Sequence, residues 1–339
     1  MSKRITISDV AKEAGVSMMT VSRAINNKDG ISEATRQRIL TIATEMGFQP
    51  SGLAQGLATQ RTATVGLVVP DIANPFFALI ARGIENVAYA YGYNVFLLNT
   101  DEDPEREAAA LNSLWQKQVD GLILCSSRLA QTELNRWLEK FPYVVLINRV
   151  LETAVSGVCT ININDRDGAK QIMNYFIAAG HKNIAFVAGP EHSLSSKERL
   201  IGYQTSLQEH NLPLKPELIQ HCVPDTDGGY EAASTLLQND LGITAVFAYN
   251  DLTATGVLRA CVEQKRQVPQ EIEIIGVDDI PLASLVTPTL STLHIDKREL
   301  GATAMQTLVR LMQNKQQSGE HQQIVNPKLI LRETTTGAL

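Results

Sequence analysis

Apolar runs of strand length recur from residue 63 onward: ATVGLVVP (63–70), YNVFLLNT (93–100), VDGLILCSS (119–127), YVVLINR (143–149), NIAFVAGP (183–190), TAVFAYND (244–251) and IEIIGVDD (272–279). Between them lie amphipathic stretches of helix length, among them FFALIARGIENVAYAYG (76–92), REAAALNSLWQKQ (106–118), KQIMNYFIAAG (170–180) and DLTATGVLRACVEQ (251–264). Strand and helix in alternation predict parallel sheets covered by helices on both faces. The runs form two successive series, so the expected fold class is α/β, with two doubly wound parallel-sheet lobes. Ligands on such sheets sit at the carboxyl ends of the strands. That rule points to Pro70-Asp71, Ser126-Ser127, Asn148-Arg149, Asn250-Asp251 and Asp278-Asp279.

The first 48 residues follow a different period. Thr6 and Asp9 form a capping pair that opens ISDVAKEA, and Gly15 stops it. Ser17 caps a second short helix, MMTVSRAIN, with Val21 and Ala24 or Ile25 facing inward. Ser32 caps a third, EATRQRILTIATEM, with Ile39, Ile42, Ala43 and Met46 on one face and Gly47 at its end. Two short helices joined by a Gly-Val-Ser turn match a helix-turn-helix, although any small three-helix bundle has the same pattern. Pro50 ends this head. The following QPSGLAQGLATQRT (49–62) reads as a linker in which LAQGLA becomes helical only when something holds it. Gly56 costs such a helix about 1 kcal/mol relative to alanine, and isolated helices this short are unstable.

Charge sharpens the division. Residues 1–61 hold eight Lys/Arg against five Asp/Glu, while the other 278 hold 22 against 31. A small basic head on a large acidic body suits a polyanion-binding module. No apolar run approaches a membrane span, and the start MSKRITISDVAKEAG has no hydrophobic segment of the export kind, so a cytoplasmic protein is expected. Cys125, Cys159, Cys222 and Cys261 are too far apart for a metal knuckle or a redox pair and read as small core residues. The six histidines do not cluster, and the fingerprints of nucleotide binding, nucleophile elbows and zinc proteases are missing. An enzyme is therefore not expected, nor any cofactor or metal.

ISDVAKEAGVSMMTVSRAIN, LAQGLA, DIANPFF, VDGLIL, AGHKNIAFVAGP, ERLIGYQTSL, NDLTATGVL and IIGVDDI, in this order along the whole chain, resemble the LacI/GalR family of bacterial transcription repressors. The resemblance implies a helix-turn-helix head (1–48), a hinge helix (49–62) and a core like the periplasmic sugar-binding proteins (63–339). Such a core binds a small effector between its lobes and pairs into a homodimer. It also implies three crossings between lobes, giving a first lobe of 63–161 and 293–322 and a second of 162–292 and 323–339. An exported sugar-binding protein shares this core but lacks the head. No leucine heptad follows the last expected strand, so a dimer rather than a tetramer is expected.

The resemblance assigns DNA contacts to Thr6, Ser17, Met18, Met19, Thr20, Ser22, Arg23 and Asn26, and hinge contacts to Ala54 and Leu57. Met18 and Met19 stand where base edges are read; they offer a soft surface for a thymine methyl, unless Met18 packs inward. Arg23 then carries guanine readout, with a phosphate contact as its alternative. Thr20, Ser22 and Asn26 suit phosphate oxygens, and Leu57 matches a minor-groove wedge. For the effector, a sugar, sugar acid or sugar phosphate, Arg199 and Asp278 match a charged ligand pair, with Asn250 as a hydroxyl ligand. Ser195, Asn148 and Arg149 join them, Asn148 standing where Asp is frequent. Phe76 and Phe77 stand at the cleft mouth, able to stack on a ring or to pack in the core. Asp279 reads as structural. Pro224 stands where many members place an aromatic, which favours a small hydroxylated or acidic ligand over a purine.

Overall fold

A computed structural model describes residues 5–48, 61–239, 241–313 and 322–337. The chain divides into two units, residues 1–64 and 65–339. In the first, α1 (Ile7–Ala14), α2 (Met18–Ile25) and α3 (Glu33–Glu45) each start at a polar cap: Thr6, Ser17 and Ser32. Thr6 and Asp9 form a full capping box, and Gly15 takes the left-handed conformation that ends α1. Val10, Ala11, Ala14, Val21, Ala24, Ile39 and Ala43 make the core of this small bundle. Arg36 reaches from α3 to the carbonyls of Arg23, Ala24 and Lys28, satisfying the end of α2.

The second unit, with Thr64 at its boundary, contains β1 (Thr64–Val69), β2 (Asn94–Asn99), β3 (Gly121–Cys125), β4 (Val144–Ile147), β5 (Val158–Ile163) and β6 (Ile184–Ala188). It continues with β7 (Ile219–His221), β8 (Ala245–Ala248), β9 (Glu273–Asp278), β10 (Ser291–His294), β11 (Gln322–Val325) and β12 (Lys328–Ile330). They form two six-stranded sheets, β11-β5-β4-β3-β1-β2 and β12-β10-β9-β8-β6-β7. The central pairs are parallel, and β12 runs antiparallel to β10. The parallel strands β1, β3, β4, β6, β8 and β9 are buried along their length, as sheets covered on both faces require.

The helices are α4 (Pro75–Ala90), α5 (Pro104–Gln116), α6 (Gln131–Leu138) and α7 (Asp165–Ala178), followed by α8 (Leu194–Glu209), α9 (Thr226–Gln238), α10 (Asp251–Glu263) and α11 (Lys297–Met312). Helices α4 and α11 meet backbone to backbone. A Cβ at Gly83 would lie 2.2 Å from the Arg298 carbonyl, and one at Gly301 2.1 Å from that of Ile80. Only glycine allows that approach.

Strand pairing moves the expected lobe boundaries. Residues 162 and 163 belong to β5 in the first sheet, 293 and 294 to β10 in the second, and 323–325 to β11 in the first. The chain crosses only after pairing has run out, at polar residues. Asn164 caps α7, Asp296 caps α11, and the Asn164 amide donates to the Asn326 side chain at 3.1 Å. Cys125, Cys159 and Cys261 are buried and Cys222 half-buried, and none of the four is in a disulfide.

Candidate functional site

The outer face of α2 presents a chemically mixed surface. Ser17 Oγ accepts from the Thr20 backbone N–H at 3.2 Å and lies 2.9 Å from Thr20 Oγ1, which fixes the first turn. Met18 and Met19 are 56% and 67% exposed, while Val21 and Ala24 face the core. Met18 is thus exposed at the first position of α2 rather than packed inward, although it stands only three residues before Val21. Ser22 is half-buried beside them. Arg23 is exposed and makes no ion pair among the described residues, its guanidinium lying close to Gly30. Asn26 is less free than expected, because its Nδ2 donates to the Ser22 carbonyl at 2.9 Å as α2 ends. Thr6 is held by Asp9, its Oγ1 donating to Oδ2 at 2.7 Å. Ala54 and Leu57 lie outside the described residues.

In the core, Phe76, Phe77, Asn148, Ser195, Arg199, Asn250 and Asp278 come together around one cavity between the two sheets, about 30 Å³ in volume. That is space for one or two waters. Phe76 and Phe77 meet edge to face at 5.1 Å where α4 begins, in a turn capped by Asn74. They both pack in the core and line the cavity. Asn148 laces the walls together: its Nδ2 donates to Ser195 Oγ at 2.6 Å and to Asp165 at 3.2 Å, and its Oδ1 accepts from Ile163 N–H.

Asp278 is the open acceptor of the site. Its carboxyl is buried and makes no hydrogen bond among the described residues, and its φ of 111° is strained for a residue with a side chain. Burial pushes it up to about 7, against the pull of Arg199 and Lys297. The Lys297 ammonium donates to the backbone carbonyls of Asp278 and Asp279 and pins this turn. Asn250 contributes less than expected, since it caps α10 through Thr253 N–H and donates to the Pro224 carbonyl at 3.1 Å.

Several expectations change. Arg199, expected as a charged ligand for the effector, is already engaged inside the protein: Nη2 pairs with Asp165 Oδ1 at 2.7 Å, and the guanidinium also donates to the Tyr249 carbonyl. Arg149 does not line the cavity. It follows Asn148, whose side chain takes the inward direction, and instead donates to the Leu129 carbonyl at 2.8 Å. Pro224 does line the cavity, but the second lobe still supplies an aromatic, Tyr249, whose ring lies 4.8 Å from the Arg199 guanidinium. Asp279 binds Arg332 at 2.6 Å and His294 at 2.8 Å, a structural role.

Sequence reasoning missed Glu102, Arg128 and Asp165. Arg128 lines the cavity and holds Glu102 through both carboxylate oxygens, at 2.5 and 3.0 Å. Its loop is fixed by buried Glu107, which accepts from Ser127 Oγ at 2.5 Å and from Arg128 N–H at 2.7 Å. Burial raises the Glu107 carboxyl, partly offset by those two bonds. The one available signal was the Ser126-Ser127 strand end, immediately before Arg128.

Residues 6–51 match the model of the bacterial regulatory proteins of the lacI family, and residues 173–335 match a periplasmic binding protein-like domain. The chain is 36% identical over 309 residues to catabolite control protein A of Priestia megaterium, covering 91% of this chain and 92% of that protein. It is 32% identical to the ribose operon repressor of Halalkalibacterium halodurans, covering 98% of this chain and 97% of the relative. Among solved structures, the lac repressor dimer bound to operator and an anti-inducer superposes with a TM-score of 0.86 at 26% identity, over 98% of this chain and 99% of the other. With an exposed helix-turn-helix face, paired parallel-sheet lobes and this likeness along almost its entire length, the chain belongs to the LacI/GalR family of bacterial transcriptional regulators.

Proposed function

We propose that the protein is a cytoplasmic homodimeric repressor of a carbohydrate-use operon, released from or held on its operator by a small hydroxylated effector bound between the lobes. The observation that carries this reading is the cavity built from both sheets around the Asp278 carboxyl, which makes no hydrogen bond among the described residues. A ligand touching both walls interacts differently with their open and closed arrangements, which is what coupling between sites requires. The Asn148 bonds to Ser195 and Asp165 form part of the closed arrangement. The head (1–48), followed by the linker (49–62), is assigned to a pseudo-palindromic operator. Ser17, Thr20, Ser22 and Thr6 position the head, Met18 and Met19 meet methyl groups, and Arg23 reads guanine. Ala54 and Leu57 complete the assignment in the linker. Binding and release, not catalysis, is the activity.

A thermal-shift screen of sugars, sugar acids, sugar phosphates and nucleosides, followed by operator titration with each hit, tests the reading. A hit that stabilises the protein, changes operator affinity and fails with Asp278→Ala is the expected result. Hits that bind equally well after that substitution would place the effector elsewhere.

A further inference from the structure

The cavity holds two arginines, and one is bound in a way that structure alone does not require. Arg128 comes from the loop after β3 and is itself almost fully buried, with 3% of its side chain exposed. Its Nε and Nη2 are taken by the Glu102 carboxylate in the side-on, two-pronged geometry by which a guanidinium takes a carboxylate or a phosphate. Its Nη1 has no hydrogen bond among the described residues, although the side chain lines the cavity. The two partners are unequally held. Arg128 is anchored at its backbone N–H by Glu107, which also accepts from the hydroxyl of Ser127 next to it. Glu102 is 21% exposed and stands in a turn after β2 in which both Asp101 and Glu102 have φ of 58°. Two successive residues with side chains in the left-handed region are strained, and such strain at a ligand site is commonly tied to its function.

Glu102 also takes up room. With it in place the cavity is about 30 Å³, too small for any sugar. The more exposed partner can turn out to solvent without leaving a buried charge behind on the acid, while Arg128 cannot.

We propose that Glu102 is a built-in occupant of an oxyanion subsite on Arg128, and that the effector carries an anionic group that displaces it. Resting on the effector-cleft reading above, this narrows the ligand to a hydroxylated molecule bearing a carboxylate or a phosphate. The anion takes the Nε and Nη2 fork of Arg128 and has Nη1 as a further donor. The hydroxyl end faces Asp278 on the opposite wall. Displacement swings a carboxylate out of the first lobe only when an anion enters, so a neutral sugar lacks the means to open the subsite.

Inorganic phosphate and acetate are the minimal probes, the two separating a phosphate from a carboxylate preference. In thermal shift and isothermal titration on the full chain, Glu102→Ala is expected to bind at least one of them about tenfold more tightly than the unchanged protein, because the internal competitor is gone. Glu102→Gln, which keeps the size, is expected to give the same direction and serves if the alanine variant does not fold. Adding Arg128→Met to either variant is expected to remove the gain. Equal anion affinity with and without Glu102, or a gain that survives Arg128→Met, overturns the proposal. A neutral sugar that binds through Asp278 and is indifferent to both Glu102 and Arg128 overturns it as well, while leaving the effector cleft in place. Loss of the cleft reading has its own mark, an effector whose binding ignores Asp278.

Discussion

The two arginines of the cavity differ in their acids. Arg199 and Asp165 are 4% and 3% exposed, joined at 2.7 and 2.9 Å, and the guanidinium also donates to the Tyr249 carbonyl over the Tyr249 ring. Arg128 is as deeply buried, but Glu102 is 21% exposed and sits in a strained turn. A pair buried on both sides is part of the framework, because removing either member strands a charge. A pair with one wet member is exchangeable. Arg23 in the head is a third case, exposed and without an ion pair among the described residues. Three arginines thus grade from framework to exchangeable partner to free reader, and the grade follows the burial of what they bind.

Breaking the sealed pair should have the largest effect. Asp165→Ala is expected to cost roughly 3–5 kcal/mol of folding free energy, because Arg199 is left buried and charged without its acid. Urea denaturation measures it, and a loss below about 1 kcal/mol would mean that water reaches the pair as it reaches a surface bridge.

Asp278, between the two pairs, should show itself through pH. Its carboxyl is raised to about 7 by burial, so the folded state favours the protonated form. The stability it contributes is fully present below the ordinary carboxyl range and is lost as pH rises through about 7. Asp278→Asn removes this dependence. It is expected to stabilise the protein by roughly 2–4 kcal/mol at pH 8 and hardly at all at pH 4. Denaturation curves at the two pH values decide it; a pH-independent difference would mean that Asp278 titrates normally.

The wet pair comes next. Glu102→Ala is expected to cost roughly 1–2 kcal/mol, less than the loss at Asp165, since the Glu102 carboxylate is itself partly in water. Equal losses at the two sites would erase the distinction between them.

The smallest change in stability belongs to the free arginine. Arg23→Ala should alter folding by less than about 0.5 kcal/mol. Operator affinity should nevertheless fall by roughly 1–3 kcal/mol, with discrimination at a guanine lost. Gel shifts on operator and guanine-substituted operator check this, and unchanged discrimination would reduce Arg23 to a phosphate contact.

What could be read along the chain was whatever depends on near neighbours. Thr6 with Asp9, Ser17 with Thr20 and Ser32 with Thr35 are caps three residues apart, so local spacing determined the starts of the head helices and left Met18, Met19 and Arg23 outside. The buried runs of β1, β3, β4, β6, β8 and β9 determined two parallel sheets, and the strand-end rule led to Asn148, Asn250 and Asp278. The pairing of charges was decided only in three dimensions. Glu102 and Arg128 are 26 residues apart on the connections after β2 and β3, which flank β1 and so end side by side. Asp165 and Arg199 are 34 apart, on α7 and α8, which pack against each other. An arginine's role depends on which carboxylate it meets and how much water reaches that carboxylate, and both are set by how distant elements pack.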